Sequence, residues 1–190
     1  MSIVLAACAL TACFQPRFDA DELRDGLAPP SDVFAPDAST AIECTTPDPS
    51  PLSRLRVSVR TSNAGGRFAP RNVGAIWIER ADGTFVKTLE RWGVLRAKWL
   101  TRFVAASNNN LVDAITGATL TSHQTHVLEW DLTDLSRCEI EAGDYQVLFE
   151  LTDRDGTGAS LVVPFAKGDV PSTVVPPDAP SFHDVQLVLE

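Results

Sequence analysis

The residues of this chain that are best suited to chemistry lie in one stretch, 113–126. It holds two of the three histidines and four threonines of a 190-residue sequence. Neutral imidazole is the commonest metal ligand in proteins, so His123 and His126 are candidate ligands. Their spacing of three residues places them on opposite faces of a β-strand. With His183 far away in the sequence and no acidic ligand nearby, we predict polar strand positions and no zinc or copper site.

The threonines of the same stretch have a simple structural interpretation. Thr116-Gly117-Ala118-Thr119 is typical of a tight turn, in which hydroxyl groups bond to nearby backbone groups. A basic run precedes it, with no acidic residue between positions 91 and 112 in a chain of net charge −9. Its members are Arg91, Arg96, Lys98 and Arg102. We interpret them as a solvated face whose stems cover Trp99 and Phe103.

The remaining motifs of the sequence predict no catalytic, metal or nucleic-acid site. Asp153-x-Asp155-Gly156 is similar to a calcium loop, but Pro164 stands where an EF-hand loop needs a bidentate Glu, so a hairpin turn is predicted. Asp131 and Asp134 are interpreted as turn-capping carboxylates. The sequence has no Gly-x-Ser-x-Gly elbow, no phosphate-binding glycine loop and no Cys-His pair. The pI near 4.7 argues against nucleic-acid binding, which requires clustered cations.

The elements that must position these residues are short strands. Alternating apolar residues predict strands at 55–60, 125–132, 144–152, 160–166 and 185–189. Residues 72–79 predict a strand buried on both faces, and Ala81-Asp82-Gly83 predicts a hairpin turn to a partner strand at 84–92. Leu95, Trp99 and Phe103 recur every four residues and indicate a short amphipathic helix or an irregular crossing within 94–106. The whole predicts an all-β, antiparallel β-sandwich over residues 52–190.

The N-terminal region has a different composition. Residues 1–13 form an apolar run in which Leu10-Thr11-Ala12-Cys13 resembles the lipobox of bacterial lipoproteins, and this resemblance implies lipidation of Cys13. No Lys or Arg precedes the run, which indicates a translation start further upstream; the alternative is a frayed apolar N-terminus of a cytosolic protein. Residues 14–51 hold seven of the thirteen prolines and predict a disordered, flexible tether.

Two further cysteines, Cys44 and Cys138, lie outside the apolar run. In an oxidising compartment they form a disulfide; otherwise they are two separate thiols.

Two groups of motifs resemble a known fold and family. Trp130-Asp131-Leu132-Thr133-Asp134, followed by Gly143-Asp144-Tyr145, resembles the hairpin of the immunoglobulin-like domain of flagellar hook-cap proteins. A wider pattern over roughly residues 72–165, including Ile76-Trp77-Ile78-Glu79 and Trp92-Gly93, resembles an uncharacterised family of predicted periplasmic proteins. The resemblance implies an Ig-like or fibronectin-III-like sandwich and an extracytoplasmic setting. It also implies redox partners, since such proteins are often encoded beside flavin transferases and membrane redox proteins.

A third, shorter resemblance lies within the stretch 113–126. Residues 113–122 are similar to the flavin-attachment motif of FMN-binding electron-transfer subunits. The resemblance implies that Thr119 carries FMN through a phosphoester bond, with Gly117 and Ala118 leaving room around the hydroxyl. Arg96, Lys98 and Arg102 would neutralise the flavin phosphate if they fold alongside.

Two functional hypotheses follow. The first is a lipid-anchored Ig-like binding or structural module of the bacterial cell envelope, with no catalysis and no cofactor of its own. Its partners would be the membrane and an envelope protein. The second is an extracytoplasmic redox carrier or accessory with FMN covalently attached at Thr119 and with a flavin transferase or membrane redox protein as partner.

Overall fold

The computed structural model describes Cys44 and residues 51–190. The predicted signal segment, the lipidation candidate Cys13 and the remainder of the tether lie outside these residues. No helix among the described residues is long and apolar enough to cross a membrane.

Nine strands and one helix make up this part of the chain. The strands are β1 (Leu55–Thr61), β2 (Val73–Arg80), β3 (Phe85–Trp92), β4 (Ile115–Gly117), β5 (Thr125–Trp130), β6 (Gly143–Thr152), β7 (Ala159–Lys167), β8 (Ser172–Val174) and β9 (Phe182–Leu189). A 3-10 turn at Ala97–Trp99 leads into the helix α1 (Thr101–Ser107). The prediction of an all-β architecture with one short helical insertion is confirmed.

The strands form two sheets, with the orders β5-β1-β9-β8 and β4-β3-β2-β6-β7. Alternate residues of both sheets point into one shared apolar core, which makes the domain a β-sandwich. The pairing is antiparallel with one exception, because β4 runs parallel to β3. The predicted β2–β3 hairpin is confirmed: Gly83 has a φ of +88°, and Gly83 N donates to Arg80 O at 2.9 Å.

Strand β2 is buried on both faces, as its apolar run predicts. Ile76 and Ile78 face the inter-sheet core. Ala75 and Trp77 face a second cluster, in which Phe103 of α1 packs edge-on against Trp77 with ring centroids 5.6 Å apart. The helical insertion therefore covers the outer face of the five-stranded sheet.

The predicted helical stripe within 94–106 is only partly right. Phe103 is fully buried, but Leu95 is 91% exposed, because the chain reaches α1 through a loop and a 3-10 turn. Leu100 separates that turn from α1 with a φ of −82° and a ψ of 71°, which is not helical. The residues at 95, 99 and 103 consequently do not share one helical face.

The two ends of the sandwich are distinct. One end, called here the Cys138 end, carries the β2–β3 turn, the β5–β6 connection and the start of β1. Cys44 is joined to Cys138 at this end by a disulfide with a Cα–Cα distance of 5.3 Å. The other end, called the Thr119 end, carries the β1–β2 loop, the β6–β7 turn and residues 118–124. An eight-residue strand separates the two ends by about 26 Å.

Candidate functional site

The stretch 113–122 forms the outer edge of the five-stranded sheet. Ile115–Gly117 pairs with Glu90–Trp92 as β4, and Gly93 N donates to Gly117 O at 3.0 Å. Three residues further, Leu120 and Asn72 exchange both backbone hydrogen bonds, at 3.0 and 3.1 Å. The prediction of a tight turn at 116–119 is therefore wrong. Thr116 and Gly117 instead pair with β3, and Leu120 pairs with Asn72 before β2, so the chain follows the edge of the sheet here.

Asn72 fastens this edge segment to the core. Its side chain is almost completely buried, with 1% of the residue exposed. Nδ2 donates to Pro70 O at 3.0 Å and to Ser122 O at 3.3 Å, while Oδ1 accepts from Trp92 Nε1 at 2.8 Å. One buried amide thus joins the edge segment, at Ser122, to Pro70 and Trp92.

Gly93 lets the next loop approach Thr119. It has a φ of +86°, and a Cβ at this position would lie 2.2 Å from Val73 Cγ1 and 3.4 Å from Thr119 Oγ1. A side chain here would be both strained and in collision with β2. The loop that carries Arg96 consequently begins directly beside the Thr119 hydroxyl.

Thr119 is exposed and lies on a cleft of about 340 Å³ at this end of the sandwich. That volume lies within the range of small-molecule sites. The cleft combines three guanidinium groups, three hydroxyl groups, one carboxylate and an aromatic ring. Its lining residues are Phe68, Arg71, Asn72, Val73, Arg96, Thr119, Thr121, Thr152, Asp153 and Arg154.

The three arginines of the cleft have different partners. Arg96 stacks over the Phe68 ring, with Cζ 3.7 Å from the ring centroid, and donates to Asp155 Oδ1 at 2.9 Å. Arg154 donates to the backbone carbonyl of Ala64 at 2.6 Å. The guanidinium of Arg71 has no hydrogen-bond or ion-pair partner within the described part of the chain. An anion entering the cleft therefore meets at least one uncompensated positive charge.

The charge around the cleft is positive overall, although the protein is acidic. Asp155 pairs with both Arg67 and Arg96 at the rim. The floor holds Asp153, of which 2% is exposed; its Oδ2 accepts from Ala64 N at 2.9 Å. Four arginines (67, 71, 96 and 154) against two aspartates leave two positive charges, whereas the whole chain carries −9. Such a local reversal of sign favours anionic ligands.

The three cations that the sequence associated with Thr119 lie in different places in the structure. Arg96 lines the cleft, while Lys98 lies 5.1 Å from the Trp99 ring centroid and Arg102 donates to Ser160 Oγ at 3.4 Å. Gly117 belongs to β4, and Ala118 is exposed between β4 and Thr119. Only one of the three predicted cations is therefore beside the threonine, because the 3-10 turn and α1 carry the other two along the outer face of the sheet.

The two histidines have unrelated environments. His126 lies in β5, stacks on Trp92 with ring centroids 4.4 Å apart, and its Nδ1 is 2.8 Å from Glu90 Oε2. His123 precedes β5, so the prediction of a strand position is wrong for it. Burial lowers the pKa of the His123 imidazole, and the negative charge of Asp153 offsets part of that effect. Within the described residues, no group of three or more His, Cys, Asp and Glu side chains could hold a metal ion.

The predicted turns hold the carboxylates close to the backbone. Asp131 Oδ1 accepts from Thr133 N at 3.2 Å, and Asp134 Oδ1 accepts from Ser136 N at 2.8 Å, so both cap local turns. Asp153 and Asp155 lie in the turn between β6 and β7.

Several residues of the cleft gave no signal in the sequence. Arg71 and Arg154 stand 83 positions apart, and neither belongs to the basic run at 91–102. The two meet because β2 and β6 are antiparallel neighbours, with Val73 opposite Thr152. Only this pairing brings the segments before β2 and after β6 together.

The fold and the site define a β-sandwich protein with a cationic cleft at one end of the sandwich. A comparison with family models adds the family: residues 55–174 match the model described as predicted periplasmic protein (DUF2271). The match covers more than half of the chain, so the protein belongs to this family, and an extracytoplasmic location fits it. The comparisons with curated proteins and with solved structures return no match.

Proposed function

We propose that the protein is an extracytoplasmic binding module, anchored to the membrane through Cys13, that holds an anionic ligand in the cleft beside Thr119. The observation that carries this proposal is the Arg71 guanidinium, which has no partner among residues 51–190 and lies in a cleft that two further arginines line. Guanidinium groups bind carboxylate and phosphate through paired, charge-assisted hydrogen bonds. The threonine hydroxyls add neutral donors on the same cleft. Binding needs no further group, and the proposal assigns the domain no catalytic step.

Titration of the full chain with inorganic phosphate and with succinate at constant ionic strength tests anion binding. A charge-assisted hydrogen bond contributes about 1.5–3 kcal/mol, so we expect Arg71→Gln to weaken binding by about 10- to 100-fold. Arg56→Gln is the matched control, because Arg56 is exposed on β1 and does not line the cleft. Equal affinity of Arg71→Gln and the unaltered protein would contradict the proposal.

The lipid anchor is tested separately. We expect Cys13→Ala to release the protein from the membrane fraction and to abolish processing that is sensitive to globomycin. Fractionation of this variant with the membrane, as for the unaltered protein, would reject the anchor and leave the proposed cleft untouched.

A second candidate function, covalent attachment of FMN at Thr119, has its own support. The hydroxyl is exposed on the cleft, and Arg71, Arg96 and Arg154 line the same cleft, where they would hold the flavin phosphate. Attached FMN supplies one- and two-electron transfer. The protein would contribute an accessible acceptor oxygen and the positive charge around it.

Intact mass and absorbance of protein co-expressed with a flavin transferase test this candidate. We expect a flavin adduct that Thr119→Ala abolishes and that Thr116→Ala retains, because Thr119 lies on the cleft and Thr116 does not. A colourless protein of unmodified mass rejects flavin attachment without affecting the proposal of non-covalent anion binding.

A further inference from the structure

The loop between β3 and α1 exposes two aliphatic side chains beside the cleft. Leu95 is 91% exposed and Val94 is 64% exposed. Exposed apolar patches that are rimmed by polar residues are typical of surfaces that bind other macromolecules. A small anion in the cleft would not bury this pair, whereas a protein segment that extends beyond the cleft would.

The residues that flank Val94 and Leu95 in the chain both lie at the cleft. Gly93, which precedes them, lies against Thr119, and Arg96, which follows them, lines the cleft. Residues 93–96 therefore form one rim of the cleft, and the aliphatic pair stands on that rim.

The surface lies at the Thr119 end of the domain, opposite to the Cys44–Cys138 disulfide. Cys44 joins the domain at Cys138, and residues 53 and 54 enter β1 at the same end, where both of their backbone N–H groups donate to Glu190 O. Cys44 and the start of β1 thus lie about 26 Å from the cleft, and neither of them covers the Thr119 end.

From these observations, and resting on the proposed anion-binding function, we propose that the Thr119 end docks an acidic protein segment. In this complex a carboxylate of the partner enters the cleft at Arg71, and an aliphatic side chain of the partner packs on Val94 and Leu95. Charge complementarity selects this occupant, because the cleft and its rim carry two net positive charges in a chain of net −9. The aliphatic pair selects a protein over a free anion.

The test uses the full chain with Cys13→Ser and a short synthetic peptide in which leucine alternates with aspartate. We expect the peptide to bind, and we expect Leu95→Ser to weaken its binding about 10-fold through the loss of apolar burial. The same variant should bind inorganic phosphate as the unaltered protein does. Val127→Ser is the matched control, because Val127 is 50% exposed on β5 and lies away from the cleft.

The outcomes separate the two proposals. If Leu95→Ser binds the peptide with unchanged affinity, or if a peptide with serine in place of leucine binds equally well, the docking inference is wrong and anion binding stands. If Arg71→Gln affects neither phosphate nor peptide binding, the proposed function is wrong as well. Binding to phosphatidylglycerol vesicles without binding to the peptide would replace the acidic protein by a lipid surface and overturn the inference.

Discussion

The substitution Asn72→Ala tests whether one buried amide holds the edge segment and the cleft in place. It removes the acceptor of Trp92 Nε1, which then stays buried without a partner at a cost of about 1–3 kcal/mol. It also removes the donor of two carbonyl bonds, to Pro70 and Ser122, each contributing about 0.5–1.5 kcal/mol. We expect the free energy of unfolding to fall by about 3–4 kcal/mol, a large share of the roughly 5–15 kcal/mol typical of a domain.

Urea unfolding followed by tryptophan fluorescence measures this loss, since Trp92 is one of the affected groups. Asn63→Ala is the matched control: Asn63 is exposed, and its Oδ1 accepts one local bond, from Gly65 N. We expect the control to lose at most about 0.5 kcal/mol, as surface substitutions usually do. In Asn72→Ala the amide of Leu120 should also exchange faster, because its acceptor is the Asn72 carbonyl. A loss below about 1 kcal/mol with unchanged exchange at Leu120 would refute our account of the segment.

Two further predictions concern the disulfide and the pH dependence of stability. Cys138→Ser opens a loop of 94 residues between Cys44 and Cys138, so chain entropy predicts a loss of about 4.7 kcal/mol in urea unfolding; a reducing agent should change the unaltered protein and leave the variant unchanged. The pKa of His123 is lowered by burial, so the unfolded chain takes up a proton more readily than the folded domain as pH falls below about 6.5. The folded state thus loses stability between that pH and the lowered pKa. We expect His123→Gln to show a smaller loss between about pH 7 and pH 5, and an identical pH profile would contradict the assignment.

Local sequence pattern determined most of the strands of this protein. The alternation in β1 and β6 and the continuous apolar run of β2 predicted these strands correctly. A strand points successive side chains to opposite faces whatever the remaining topology, so the pattern can be read locally. The Asp-Gly hairpin was equally predictable, since glycine accepts a positive φ at no steric cost. These features depend on residues that are neighbours in the sequence.

The edge segment shows where local reasoning fails. Thr116–Thr119 has the composition of a turn, yet Thr116 and Gly117 belong to a strand, because β3 offers backbone partners that no local pattern reveals. In the same way, Leu95 fits a helical stripe by spacing but is exposed, because the helix begins only at Thr101. Tertiary hydrogen bonds and packing outweigh intrinsic preferences of a few tenths of a kcal/mol per residue.

The candidate site could be predicted from the sequence only in part. The resemblance of residues 113–122 to a flavin-attachment motif identified Thr119 as the hydroxyl to test, with Arg96, Lys98 and Arg102 as the cations expected beside it. Only the tertiary structure brought Arg71 and Arg154 to that hydroxyl, through the antiparallel pairing of β2 with β6. It also moved Lys98 and Arg102 away along the outer face of the sheet. A binding site depends on distances in space, and residues far apart in the chain reach those distances only when the strands between them pair.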